Sequence, residues 1–215
     1  MWGSGDIETR DYDLRGFLAV CASSFKIEVI QSDTFAVTVH ADRDLFNGLD
    51  VRKSGTTLHL HKKRFHWDIG HERPEATIHM PAIESVELSG ATSVRMRDFR
   101  GIDRLNIKLT GASELTAHLD AEAIDAEATG ASRLNLDGSA TRVMLDASGA
   151  SKLDLTGLVA TNGSVELSGA SSATVNFTEA IDFVEASGAS HLRYLGDPKI
   201  GQFESSGASR VARVA

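Results

Sequence analysis

Five histidines fall close together in this chain: His59, His61, His66, His71 and His79. Neutral imidazoles are good zinc ligands, and side chains two apart on a strand share a face. His59 and His61 therefore point the same way in LHLH. His79 points outward in TIHM if Ile78 and Met80 point in. Should the two strands be neighbours, His59, His61 and His79 could converge on Zn²⁺, with Glu72 or Asp68 as a fourth ligand. The spacing matches no standard zinc signature and brings no cysteine with it. Solvated surface histidines are the plainer reading, and a pH-sensitive contact is a third. Trp67, between Phe65 and Ile69 in the same stretch, either packs over one end of the molecule or faces a partner.

A second set of charged residues recurs along the chain: Glu87, Lys108, Glu127, Asp146, Glu166, Glu185 and Glu204. Each stands three residues before a repeated glycine. Stacked on adjacent strands about 4.8 Å apart, like charges repel by roughly 1 kcal/mol or less per exposed pair. Three arrangements would relieve them: a shared Ca²⁺, a basic partner surface, or cross-corner pairing with Arg133, Lys152, His191 and Arg210. The Gly- and Asp-dense calcium nonapeptide of other β-rolls is absent. Glu127, Asp146, Glu166 and Glu185, with Trp67, are the candidate binding surface. Asp98, Asp103, Arg104, Asp120 and Asp125 lie between the repeats, but no pair has a spacing that fixes acid/base geometry. No nucleophile elbow, P-loop or dinucleotide fingerprint occurs, so neither a catalytic residue nor a cofactor is implied.

The elements that must position these residues are written in the repeat itself. VELSGATSV, from Val86, returns as IKLTGASEL, AEATGASRL, LDASGASKL, VELSGASSA, VEASGASHL and FESSGASRV. The glycines, Gly90, Gly111, Gly130, Gly149, Gly169, Gly188 and Gly207, are 21, 19, 19, 20, 19 and 19 residues apart. A fixed period of this size marks a solenoid. Apolar and polar residues alternate on both sides of each glycine, which is the period of a half-buried strand. The fold class is thus all-β: a parallel β-helix with rungs of 19–21 residues, and the lack of the hexapeptide pattern of left-handed coils points to a right-handed one. Each rung reads as strand, tight corner, strand and a looser return. The columns two before the glycine (Leu88, Leu109, Ala128) and four after it (Val94, Leu115, Leu134) should stack inward. The flanking hydroxyls suit bonds to the turn backbone.

The chain of 215 residues reads as one domain, with irregular coils and a cap over 1–80 and seven regular repeats over 81–215. In the first part, FKIEVIQ and FAVTVHA look like a hairpin turning at QSD. LDVRKSGTTLHLHKK looks like a degenerate repeat with Gly55 at its corner, and ASSFKIEVI like another. A short helical turn fits 42–49. Arg213, at a position where earlier copies carry Met96 or Leu136, suits a last rung open to water. Cys21 is the single cysteine, so no intrachain disulfide forms. A net charge of −8 disfavours nucleic acid and anionic membranes as partners. There is no apolar run of membrane-spanning length. The opening MWGSGDIETR lacks the layout of a secretory signal, so the expectation is either a cytosolic protein or one whose signal was removed upstream of it.

The opening GSGDIETRDYDLRGFLAVCASSFKIEVIQSD, the SGAS corners and the closing YLGDPKI…SSGAS resemble the head-GIN domain family, over almost the whole chain. Those proteins are described as auto-transporter adhesin heads. The resemblance implies a right-handed bacterial β-helix of the periplasm or cell surface, and it supplies no catalytic residue to carry over. The expectation is a non-enzymatic exported scaffold for adhesion or envelope interaction. Its partner would be a protein or glycan, and self-association through an open rung is possible. The rival is a carbohydrate-binding or carbohydrate-cleaving β-helix, which a groove with exposed aromatics and paired carboxylates would favour.

Overall fold

The computed structural model describes residues 6–62 and 73–214. Trp67 and the histidines at 66 and 71 lie outside the described residues. Sixteen strands join in one sheet, wound as a parallel β-solenoid of about seven turns with rungs of about 19 residues.

The regular part is built from β8 (Ser85–Ser89), β9 (Ser93–Leu109), β10 (Glu114–Ala128), β11 (Arg133–Ala147), β12 (Lys152–Leu167) and β13 (Ser172–Ala186), closing with β14 (His191–Leu195), β15 (Lys199–Ser205) and β16 (Arg210–Arg213). Every pairing among these strands is parallel. The return segments carry register irregularities in three of these pairings but are fully laddered in one. β10 pairs with β11 from Glu114 to Ala128 without a register break, so a single strand bends round the whole rung. The inward columns stack as the alternation requires: Val94, Leu115, Leu134, Leu153, Ala173 and Leu192 are all buried, and so are Leu88, Leu109, Ala128, Ala147, Leu167 and Ala186.

The corners show why the repeat is so strict. Gly130 has φ +79, and a β-carbon there would lie 2.6 Å from the carbonyl oxygen of Gly111. Handedness and space both demand glycine. The crowding arises because the corner itself is laddered: the Ala131 amide donates to that same carbonyl at 2.7 Å, and each later corner repeats the bond. Two residues on, the hydroxyl of Ser132 is fully buried and donates to the Thr129 carbonyl at 2.8 Å. Ser151, Ser171 and Ser209 close their corners in the same way. A buried hydroxyl is tolerable only when so bonded.

The N-terminal part uses the same columns in a different chain order. Its strands are β1 (Ile7–Tyr12), β2 (Ala19–Ser23), β3 (Lys26–Gln31), β4 (Ala36–Asp42), β5 (Leu49–Ser54), β6 (Thr57–Lys62) and β7 (Glu75–Met80), with a 3-10 turn over Arg43–Gly48. β2 and β3 form a true rung whose corner is Ser24, held at φ +63 in place of glycine. That rung is inserted between later pieces of chain: β2 lies between β6 and β8, and β3 between β7 and β9, all in parallel.

Two expectations change here. β3 and β4 do not form a hairpin; β7 sits between them, parallel to β3 and antiparallel to β4. The insertion extends the buried columns as Ile27–Ala76–Val39 and Val29–Ile78–Val37. Gln31, rather than turning the chain, donates to the carbonyls of Pro81 and Arg100 and accepts from the Arg100 amide. Gly55 is not a solenoid corner either. β5 and β6 are antiparallel, with Ser54 opposite Thr57, which makes Gly55 the first residue of a two-residue hairpin turn at φ +58. These antiparallel strands, the buried Leu45 and Phe46 of the 3-10 turn, and Arg10 lying 4.1 Å over the Phe46 ring close this end. At the other end, Phe203 and Ile200 continue buried columns yet are 49% and 39% exposed, because among the described residues no further strand pairs with β15.

Candidate functional site

One outward column crosses nearly the whole sheet. Register places Arg52 opposite His59, His59 beside Cys21, Cys21 beside Glu87, and then Lys108, Glu127, Asp146, Glu166, Glu185 and Glu204 in succession. Each strand contributes one side chain because alternation turns its neighbours into the core.

Along the repeats this column is acidic. Lys108 offsets one charge, with its ammonium 3.2 Å from Glu127. Beyond it, Asp146, Glu166 and Glu185 stand on adjacent strands and form no ion pair among the described residues. Arg133, Lys152, His191 and Arg210 form their own column on the far side of the corner. They reach none of these carboxylates. A shallow furrow runs along the acidic column, between it and the parallel column that holds Asp125, Met144 and Ser164. Met144 is 45% exposed and gives the furrow an apolar wall.

The acids of the return segments do not converge. Asp98 meets His118 at 2.9 Å, Asp120 accepts from Ser139 at 2.6 Å, and Asp125 meets Arg104 at 2.8 Å. Each is held by a different partner at a different point of its rung.

At the N-terminal end of the column the chemistry changes. Cys21, His59 and His61 are half-buried, with one ligand atom from each lying within 4.8 Å of the other two. His61 Nε2 is 3.8 Å from Cys21 Sγ and 3.4 Å from His59 Nδ1. The rings of His59 and His61 are 5.6 Å apart and tilted by 30°. Burial pushes the Cys21 thiol up, and the negative charge of the Glu87 carboxylate beside it adds to the effect. Burial pushes His59 down, helped by the charges of Arg52 and His61.

His79 is not part of this group. It sits on β7, which pairs with β3 and β4, whereas β6 pairs with β2 and β5. The two histidine-bearing strands are on different sides of the corner, so His79 cannot join His59 and His61. Glu72 and Asp68 lie outside the described residues. The residue that sequence reasoning missed is Cys21, and a signal for it existed. Ser24 takes the glycine place of its rung, and Cys21 stands three residues before it, as Glu87 stands three before Gly90.

Fold and column together define a β-solenoid that presents long, chemically ordered side faces and no enclosed reaction chamber at these residues. The model of the family described as "Putative auto-transporter adhesin, head GIN domain" matches residues 20–198. The chain belongs to that family. Among solved structures it is similar to a "putative adhesin" from Bacteroides fragilis NCTC 9343, with a TM-score of 0.92, 20% identity and 100% of both chains covered. It is also similar to a "Putative lipid binding protein" from Parabacteroides distasonis ATCC 8503, with a TM-score of 0.74, 16% identity and coverage of 100% of this chain and 99% of that one. A "putative adhesin" from Parabacteroides merdae ATCC 43184 follows at a TM-score of 0.69, 15% identity and coverage of 100% and 99%. At these identities the likeness is one of fold. No curated protein matches the chain in sequence.

Proposed function

We propose that this protein is a non-enzymatic, exported scaffold of the bacterial periplasm or cell surface, which adheres to a partner through the acidic side face of its solenoid. The observation that carries this reading is the run Asp146, Glu166 and Glu185, on adjacent strands and without ion-pair partners among the described residues. Like charges held about 4.8 Å apart cost free energy in the isolated protein. A cationic surface returns that cost on binding, so the face is poised for a basic partner. The furrow beside the column runs along the solenoid axis and suits an extended segment more than a compact ligand. The family description and the names of two structural neighbours agree with an adhesive role. The separate pairing of the return-segment acids favours binding over catalysis.

The test is binding of the purified chain to isolated bacterial envelope fragments and to polylysine, with salt titrated. Glu166→Lys/Glu185→Lys should lose most of both interactions, and the wild-type interactions should fade as salt is raised. Arg133→Glu/Lys152→Glu, across the corner, should bind polylysine at least as well as wild type. Unchanged binding by the acidic-face variant would refute the reading. Binding that survives high salt and is competed by a neutral glycan would favour the carbohydrate-binding alternative instead.

A further inference from the structure

We propose that Cys21, His59 and His61 form a metal site for a borderline-soft divalent cation such as Zn²⁺. The three come from two strands paired in register: His59 stands beside Cys21, and His61 is the next outward residue on the same strand. All three are half-buried on one face, so their ligand atoms meet at the surface of the sheet where an ion can enter.

The distances fit the coordination geometry. In a tetrahedral site, Zn–N bonds near 2.0–2.1 Å and Zn–S near 2.3 Å put neighbouring N and N roughly 3.3 Å apart, and N and S roughly 3.6 Å apart. The corresponding separations are 3.4 Å between His61 Nε2 and His59 Nδ1, and 3.8 Å between His61 Nε2 and Cys21 Sγ. Those two separations need adjustments of only a few tenths of an ångström, and the third, between His59 and Cys21, lies within 4.8 Å and closes by rotation of the half-buried side chains. Calcium and magnesium, which take oxygen ligands, do not match this nitrogen and sulfur donor set.

The charges around the three are compatible with a bound dication. Arg52, opposite His59, has its guanidinium on Asp50 at 3.0 Å, so its charge is already offset. Glu87 lies on the other side of Cys21, one strand away in register. With a metal bound, the thiol gives up its proton to solvent and the Glu87 carboxylate stays beside the sulfur as an outer-shell partner. Three ligands from the described residues leave a fourth position for water or another donor. This inference is independent of the acidic-face reading, although both use one continuous column.

The experiment is zinc titration of the purified chain by calorimetry, followed by Co²⁺ substitution watched by absorption. The chain has a single cysteine, so a sulfur-to-cobalt charge-transfer band and zinc protection against a thiol reagent both report on this site alone. We expect one zinc per chain. Cys21→Ser and His59→Ala should each weaken binding by at least about 100-fold, and Glu87→Gln by about 10-fold, in line with outer-shell partners elsewhere. His79→Ala and the double variant His66→Ala/His71→Ala should bind as wild type. Circular dichroism establishes that each variant is folded. The proposal is overturned if no stoichiometric zinc binds, or if cobalt binds without the thiolate band. It also fails if affinity survives Cys21→Ser but falls in either histidine control.

Discussion

The repeats from Ser85 onward and the strands before them share one set of buried columns but reach it in opposite ways. In the repeats, order in sequence is order in space: β10 stacks on β9, β11 on β10 and β12 on β11. In the first part β3 lies against β7 and β9, and β2 against β6 and β8. The difference bears on function. A repeated coil brings like residues together, and hence a ladder of carboxylates. Only the part that stops repeating brings unlike residues into one cluster, which is why cysteine and histidines meet at its end. Repetition supplies area, and its interruption supplies chemistry.

The comparison can be broken most sharply in the core. Phe177 is 1% exposed, and its ring fills the space above Gly163 that a side chain would otherwise occupy. Phe177→Ala should cost about 3–5 kcal/mol. Phe203→Ala, on the rung that closes the described residues, should cost only about 1 kcal/mol, since about half of that side chain stays in water. Urea unfolding midpoints of the two variants give the contrast, and equal losses would mean that the last rung is covered in solution.

A smaller difference separates two glycines that both have positive φ. Gly130→Ala sets a β-carbon against the Gly111 carbonyl, whereas at Gly55 nothing lies within 4 Å. The hairpin variant should lose about 1–2 kcal/mol, the strain of a left-handed alanine, and the corner variant measurably more. Similar melting temperatures for the two would show that the corner relaxes.

The smallest effect distinguishes acids inside the repeats. The Thr156 hydroxyl and amide donate to Asp154 at 2.6 and 3.1 Å and hold its carboxyl below the usual range. A carboxyl lowered on folding stabilises above the unfolded carboxylate range and loses that contribution as pH falls through its folded value. Asp154→Asn should therefore cost roughly 0.5 kcal/mol at neutral pH, and the gap to wild type should close in acid. Glu166→Gln, which relieves its neighbours, should instead be neutral or slightly stabilising. Stability curves from neutral to acid pH check both.

The repeated part was almost fully legible because its signal is self-reinforcing: seven corners fix period, register and the inward columns together. The laddered return segments were less visible, since their sequences differ from rung to rung while the backbone pairing continues. In the first part, alternation identified strands without naming their partners. FKIEVIQ and FAVTVHA have the composition of a hairpin, and only the arrival of β7 separates them. Gly55 and Gly90 look alike because a positive φ serves a hairpin and a solenoid corner equally. The acidic column could be written down from spacing alone. That Cys21 continues it could not be fixed without knowing that Ser24 replaces a glycine.

The inserted rung has a consequence for the order of assembly during synthesis. Val20 belongs between Leu58 and Val86, and Ile27 between Ala76 and Val94, so the earliest coil is an interior layer whose two neighbours are made after it. Both of its edges stay unsatisfied until those neighbours emerge. Every later coil needs only its predecessor and can be added as it appears. Closing that inner coil therefore needs pairings between segments distant in the chain, whereas each later coil needs only local ones.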